Sequence, residues 1–190
     1  MDHDLTLTGH GIALRPLRPD DAGALLALVD AASWQGFTSP PPQDEPAMRD
    51  WVRGSVETPA RLAFAVVGQG GEVRGTTSFY DLSHDQGRVE IGSTLYGRAW
   101  WGGATNPAVK LLLFTHAFET WGLARVALRA DARNARSLAA IERLGAVREG
   151  VLRSHRVAGD GTRGDTVYFS VLADEWPAVR AGLEARLADA

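Results

Sequence analysis

Between a strand-like stretch and the most strongly periodic helix of the chain lies Trp100-Trp101-Gly102-Gly103-Ala104-Thr105-Asn106-Pro107. Gly102 and Gly103 carry no side chain, so the backbone there turns freely and a ligand can approach it closely. Thr105 or Asn106 can cap the helix that follows, and Pro107 suits its first turn. The N–H groups of such a turn, with about half a positive charge from the helix dipole, suit a phosphate or pyrophosphate. No Gly-Lys-Ser/Thr follows and the three-glycine dinucleotide spacing is missing, which excludes a P-loop and a Rossmann turn. Taken alone, the segment reads equally well as a tight turn and cap with no ligand.

A second constellation is Asp131-Ala132-Arg133-Asn134-Ala135-Arg136-Ser137, followed by Leu138 to Leu144 and Gly145. Asn134 and Ser137 stand i, i+3. With Asn134 as N-cap, Ser137 falls in the first turn beside it, and both can donate hydrogen bonds to one bound molecule. On its own the pair is an ordinary cap and a surface serine. Next to the glycine loop it points to a shared ligand.

The elements that must hold these segments follow from periodicity and punctuation. Strand patterns run over 12–17, 61–68, 73–79, 88–95, 125–130, 147–152 and 166–172. Helix patterns run over 22–32, 46–57, 107–121, 135–144 and 174–188, with Pro19-Asp20-Asp21 starting the first and Gly122 and Gly145 ending the third and fourth. In the third, Leu111, Phe114, Phe118 and Trp121 share one face and predict packing on a sheet. The order βααβββαβαββα predicts a single α/β (α+β) domain over residues 1–190, with a mixed, mostly antiparallel sheet. Only the strand, helix, strand crossover around 88–130 needs to be parallel.

Composition narrows the chemistry. Twenty basic against twenty-three acidic residues leave a net charge of −3, so no general field attracts nucleic acid. Every basic residue except Lys110 is arginine. The chain has no cysteine and five scattered histidines, which removes thiolate chemistry and any Cys-ligated metal and leaves no metal-binding spacing. Met1-Asp2-His3-Asp4 has no basic and apolar leader pattern, and no apolar run nears the ~20 residues of a membrane span, so a cytoplasmic location and no membrane partner are expected.

With these elements in place, the chain resembles the GCN5-related N-acetyltransferase (GNAT) superfamily, and within it the ribosomal-protein alanine N-acetyltransferases and their small-molecule-modifying relatives. The resemblance is carried by Val89-Glu90-Ile91-Gly92, Gly102-Gly103-Ala104-Thr105, Asn134-Ala135-Arg136-Ser137 through Arg143-Leu144-Gly145, and Glu149-Gly150-Val151-Leu152-Arg153, with support from the Asp165 strand and Glu175-Trp176. It spans nearly the whole chain. It implies a splayed pair of parallel strands, 88–95 and 125–130, with the pantetheine arm of acetyl-CoA in the gap like an added strand. It implies backbone binding of the CoA pyrophosphate at Trp101, Gly102, Gly103, Ala104 and Thr105. Asn134 matches the asparagine that contacts the arm, and Ser137 a serine close to the thioester sulfur. Two positions depart: Ala99 stands where the family usually has Gln or Arg, with Arg98 one residue early, and Ile141 stands where many members carry an acidic tyrosine. Ser137, or a water it holds, is then the group to stabilise the thiolate.

The implied reaction moves an acetyl group from acetyl-CoA to a primary amine, on a protein N-terminus or a small molecule, by direct attack in a ternary complex. An amine with a pKa near 10 must first lose a proton. Glu90, alternating against Val89 and Ile91 on the strand that leads to the glycine loop, is the candidate base, a solvated glutamate or an ion pair with Arg129 being the other reading. Trp34, Tyr80 and His155 are candidate acceptor-binding residues, with His155 a second possible base. Rival readings are a non-catalytic acyl-CoA-binding regulatory module and a transferase of another acyl group such as succinyl. A monomer or a homodimer fits equally.

Overall fold

The computed structural model describes residues 3–189; Met1, Asp2 and Ala190 lie outside the described residues. Eight strands form one sheet: β1 (Leu7–Gly9), β2 (Ile12–Pro16), β3 (Leu62–Gly68), β4 (Val73–Ser83), β5 (Arg88–Tyr96), β6 (Arg125–Asp131), β7 (Val147–Val157) and β8 (Arg163–Leu172). The helices are α1 (Ala22–Leu26), α2 (Glu45–Glu57), α3 (Thr105–Thr115), α4 (Ala135–Glu142) and α5 (Trp176–Ala188). The spatial order is β1-β2-β3-β4-β5-β6-β8-β7, and only β5 and β6 pair in parallel. This is the mixed, mostly antiparallel sheet expected, with the parallel step where the crossover through α3 requires it.

Local chemistry explains where the boundaries moved. β1, absent from the sequence reading, joins β2 through His10 and Gly11, both at positive φ, which makes a tight two-residue hairpin. α1 stops at Leu26 rather than running to residue 32. Asp30 ends any continuation, because its Oδ1 accepts the N–H groups of Ala32 and Ser33 and offers the backbone a turn instead. α3 starts at Thr105 with Ala104 as its N-cap and no side-chain cap, so neither Thr105 nor Asn106 performs the capping expected of them. After Thr115 a wider π-type turn, His116–Thr120, finishes the rod.

Two apolar layers grip the sheet. On one face α3 and α5 cover Phe64, Phe79, Val89, Ile91, Val126 and Phe169, with Leu111, Phe114 and Phe118 facing inward as their spacing predicts. On the other, α1 and α2 cover the β2–β4 end and the last part of β5, around Ala63, Ala65 and Leu95. Around Arg88–Glu90 of β5 and the neighbouring β6 and β8, polar side chains on this second face line a cleft instead.

Candidate active site

β5 and β6 are registered only over Arg88–Arg125, Val89–Val126 and Glu90–Ala127. Past Glu90 a bulge intervenes: the β4–β5 register slips between Thr76 and Ser78, and Ser93 adopts φ 50°. A bulge bends and twists its strand, so β5 leaves β6 at this point. Glu90 therefore stands on the last parallel rung, beneath the mouth of a gap bounded by Ile91–Tyr96 and the end of β6.

Glu90 is 6 % exposed. Tyr80, its direct partner on β4, donates its hydroxyl to Glu90 Oε1 at 2.5 Å, and Arg129 Nε sits 2.8 Å from the same oxygen. Both partners use Oε1, so Oε2 is left to accept a proton. Arg129 also donates through Nη1 to the Tyr168 hydroxyl at 2.9 Å. Burial raises the Glu90 pKa above its ordinary value, and the Tyr80 bond and Arg129 charge only partly oppose that. Gly92 makes the contact possible: a Cβ at that position would fall 2.5 Å from the Tyr80 hydroxyl oxygen. Glu90 is thus both the ion-pair partner of Arg129 and a carboxylate facing the cleft. These side chains, with Asp81, Arg88, Arg125 and Tyr168, line a cleft of about 310 Å³.

At the other end of the gap, the 3-10 turn Arg98–Trp100 and the loop after it lead into α3. Gly102 has φ +77°, and a Cβ on either Gly102 or Gly103 would meet nothing within 4 Å, so the loop is open above its backbone. The first N–H groups of α3 have no acceptor within the helix. Trp101 is fixed by its indole N–H, which donates to Tyr96 O at 2.8 Å, and the guanidinium groups of Arg136 and Arg98 stand 3.7 Å and 5.3 Å from its ring centre. Arg74 stands 4.1 Å over the Trp100 ring. Arg98 is paired with Asp30. Helix N-terminus, open glycines and flanking arginines fit a pyrophosphate-bearing ligand, and the gap below fits an extended arm.

Asn134 is 4 % exposed and caps α4 as expected, its Oδ1 accepting from Ser137 N–H at 3.0 Å. Its Nδ2 donates to Gln35 O at 2.8 Å, and Arg136 Nη2 donates to Ala32 O at 3.1 Å. The α1–α2 connection is thereby tied to the start of α4 across the gap. Ser137 is half-buried on that first turn. Ile141 is buried in the main core, so the position where many GNAT enzymes carry tyrosine serves packing here.

The other expected residues sit apart from Glu90. Trp34 is 4 % exposed in the second apolar cluster, stacked on Phe37 at 4.4 Å, with its indole N–H donated to Ser39 O. It stiffens the α1–α2 connection and is absent from the cleft lining. His155 is exposed on β7, 3.0 Å from Thr166 Oγ1 and edge-on to Tyr168, so it reaches the site through that tyrosine. Arg88, Arg125 and Tyr168 were not anticipated. Their signal is the alternation Arg125, Ala127, Arg129 on β6, which acquires meaning only when the register sets it beside Arg88 and Glu90.

The acetyltransferase (GNAT) domain family matches residues 12–147. YdaF of Bacillus subtilis, provisionally named a ribosomal N-acetyltransferase, is 30 % identical over 174 residues, covering 87 % of this chain and 93 % of its own. Among solved structures, a GCN5-related N-acetyltransferase from Brucella melitensis superposes with a TM-score of 0.90 at 27 % identity, covering 98 % of this chain and 86 % of that one. Mycobacterium smegmatis RimJ, solved in complex with CoA-disulfide, shares the fold with a TM-score of 0.76 at 22 % identity over 96 % of this chain and 94 % of its own. With a parallel rung that splays at a buried glutamate, a glycine-opened helix start and a domain match over most of its length, the chain belongs to the GNAT family of acetyltransferases.

Proposed function

We propose that the whole chain acts as one acetyltransferase domain, moving an acetyl group from acetyl-CoA to a primary amine by direct attack in a ternary complex. The observation that carries this reading is Glu90: a buried carboxylate with one oxygen held and the other open, on the rung where β5 and β6 part. Acetyl-CoA supplies the thioester carbonyl that the amine attacks. The backbone of Trp101 to Thr105 takes the pyrophosphate, helped by the α3 dipole and the arginines around Trp101. Asn134 and Ser137 flank the gap from α4, where Asn134 contacts the arm and the Ser137 hydroxyl steadies the departing sulfur.

Glu90 Oε2 accepts the ammonium proton, directly or through one water. Burial favours the proton-bound form of Glu90, which makes it a stronger base than an exposed glutamate, while Arg129 and Tyr80 hold it in place. Tyr80 forms one wall of the acceptor cleft and His155 borders it beyond Tyr168, while Trp34 stays in the core of the α1–α2 connection. No helix among the described residues is long and apolar enough to cross a membrane.

Glu90→Gln tests the reading against a regulatory module that binds acyl-CoA without turnover. Acetyl-CoA binding is expected unchanged, read from the thermal shift that a stabilisation of about 2.7 kcal/mol gives at 100 times the dissociation constant. Thiol release in the presence of amines should fall roughly 100-fold or more. Full activity in the variant removes Glu90 as base; a thermal response without turnover in the wild type, over a broad amine panel, supports the regulatory module. Running succinyl-CoA beside acetyl-CoA settles the acyl group.

A further inference from the structure

The floor of the cleft below Glu90 carries a feature that base chemistry does not use. Arg88 and Arg125 are direct partners on the parallel rung, on the same face as Glu90 and two residues before it on β5. Like charges so placed, one strand spacing of ~4.8 Å apart, repel each other. Each has a carboxylate partner: Arg88 has Asp81, with side-chain exposures of 43 % and 58 %, and Arg125 has Glu149, in a two-pronged fork with both bonds at 2.5 Å and exposures of 31 % and 36 %. The exposed Arg88–Asp81 pair holds weakly and exchanges readily, whereas the fork on Arg125 is the stronger kind. Arg129 is taken by Glu90. Of the three guanidinium groups that line the cleft, each with one carboxylate partner, Arg88 is the one open to a ligand, through exchange of its exposed partner Asp81, with the Arg125 charge beside it.

Resting on the transferase reading above, we infer that the acceptor is a primary amine carrying an anionic group, seated on Arg88 beside Arg125 while its nitrogen lies at Glu90. Two strand residues separate these points, ~7 Å. An α-amino acid, whose amine and carboxylate share one carbon, is too short to span them. A peptide N-terminus with an acidic second residue spans them, as does a small amine with its carboxylate several bonds away. A polyamine would set a second ammonium among the arginines and is disfavoured.

The test compares three dipeptide amides with free amino termini, Ala-Glu, Ala-Gln and Ala-Lys, as acceptors for the full-length protein with acetyl-CoA. The kcat/KM for thiol release should fall in that order, with roughly tenfold between the acidic and basic members. Calorimetric binding of the same peptides to the CoA-loaded protein should rank them likewise without needing turnover. In Arg88→Gln/Arg125→Gln the peptides should become equal, and Arg88→Glu should reverse the order, a gain for Ala-Lys that misfolding cannot produce. A longer peptide with the same first two residues separates the sources: better turnover than Ala-Glu favours a protein N-terminus, and worse turnover a small acidic amine. Equal treatment of the three dipeptides, or a preference untouched by the arginine variants, overturns the inference and leaves the transferase standing. No thiol release together with no acetyl-CoA thermal shift overturns both.

Discussion

Lys110, the sole lysine of the chain, is 4 % exposed on α3 with its ammonium nitrogen 3.5 Å from Thr94 Oγ1 and no ion pair to a carboxylate among the described residues. Burial lowers its pKa from 10.5 to about 7. In the unfolded chain the same group titrates near its ordinary ~10.4. Between about pH 7 and pH 10 the unfolded state therefore binds a proton that the folded state does not, and stability rises with pH at up to ~1.4 kcal/mol per unit. Below pH 7 both states are protonated and the full burial penalty is present. Lys110→Met keeps the length and flexibility of the side chain without the charge, and Thr94 retains its bond to Thr77 at 2.9 Å. The variant should be more stable than wild type at pH 7.5, and its advantage should shrink by about 2 kcal/mol by pH 9.5. Urea unfolding followed by the fluorescence of the six tryptophans reads this directly. A difference independent of pH, or a less stable variant at pH 7.5, would refute the claim that an uncompensated ammonium is buried there.

Three further outcomes follow from the site. Tyr80→Phe removes a hydrogen bond that lowers the Glu90 pKa, so the acidic limb of the rate profile should move to higher pH, and an unmoved limb would separate Tyr80 from the base. Gly92→Ala should reproduce that shift, because its Cβ would fall 2.5 Å from the Tyr80 hydroxyl and push the phenol off Glu90; acetyl-CoA affinity, read by calorimetry, serves as the control. Asn134→Ala should cost about 1 kcal/mol of stability through the lost cap and weaken acetyl-CoA binding, and equal dissociation constants for variant and wild type would count against its contact with the pantetheine arm.

Much of the architecture was legible because its signals are local. The periods of β3, β5 and α3, the stop at Gly145 and the cap at Asn134 depend on neighbours within a few residues. Where a side chain competes with the backbone, the pattern misleads: Asp30 halts α1 by accepting two N–H groups, and the reading ran on to residue 32. The hairpin at His10 and Gly11 went unread because β1 is only three residues long and carries no period of its own.

The site divides along the same line. The glycine loop and the Asn134–Ser137 pair were marked by residue type and spacing, since open backbone and helix start announce their chemistry in the sequence, while Glu90 as base and the cofactor roles of Asn134 and Ser137 came from the GNAT resemblance. Arg129 was anticipated only as a counter-ion, and Arg88, Arg125 and Tyr168 not at all. Their role rests on which residues the β5–β6 and β6–β8 registers set side by side, and a strand carries no local record of its partner. Trp34 shows the converse. Its aromatic ring promised a binding wall, yet helix packing drew it into the core beside Phe37 and Trp51, because burying a large apolar surface outweighs displaying it. Residue types thus determined which chemistry was available, and the tertiary structure decided which charges would meet, through pairings between strands far apart in the chain.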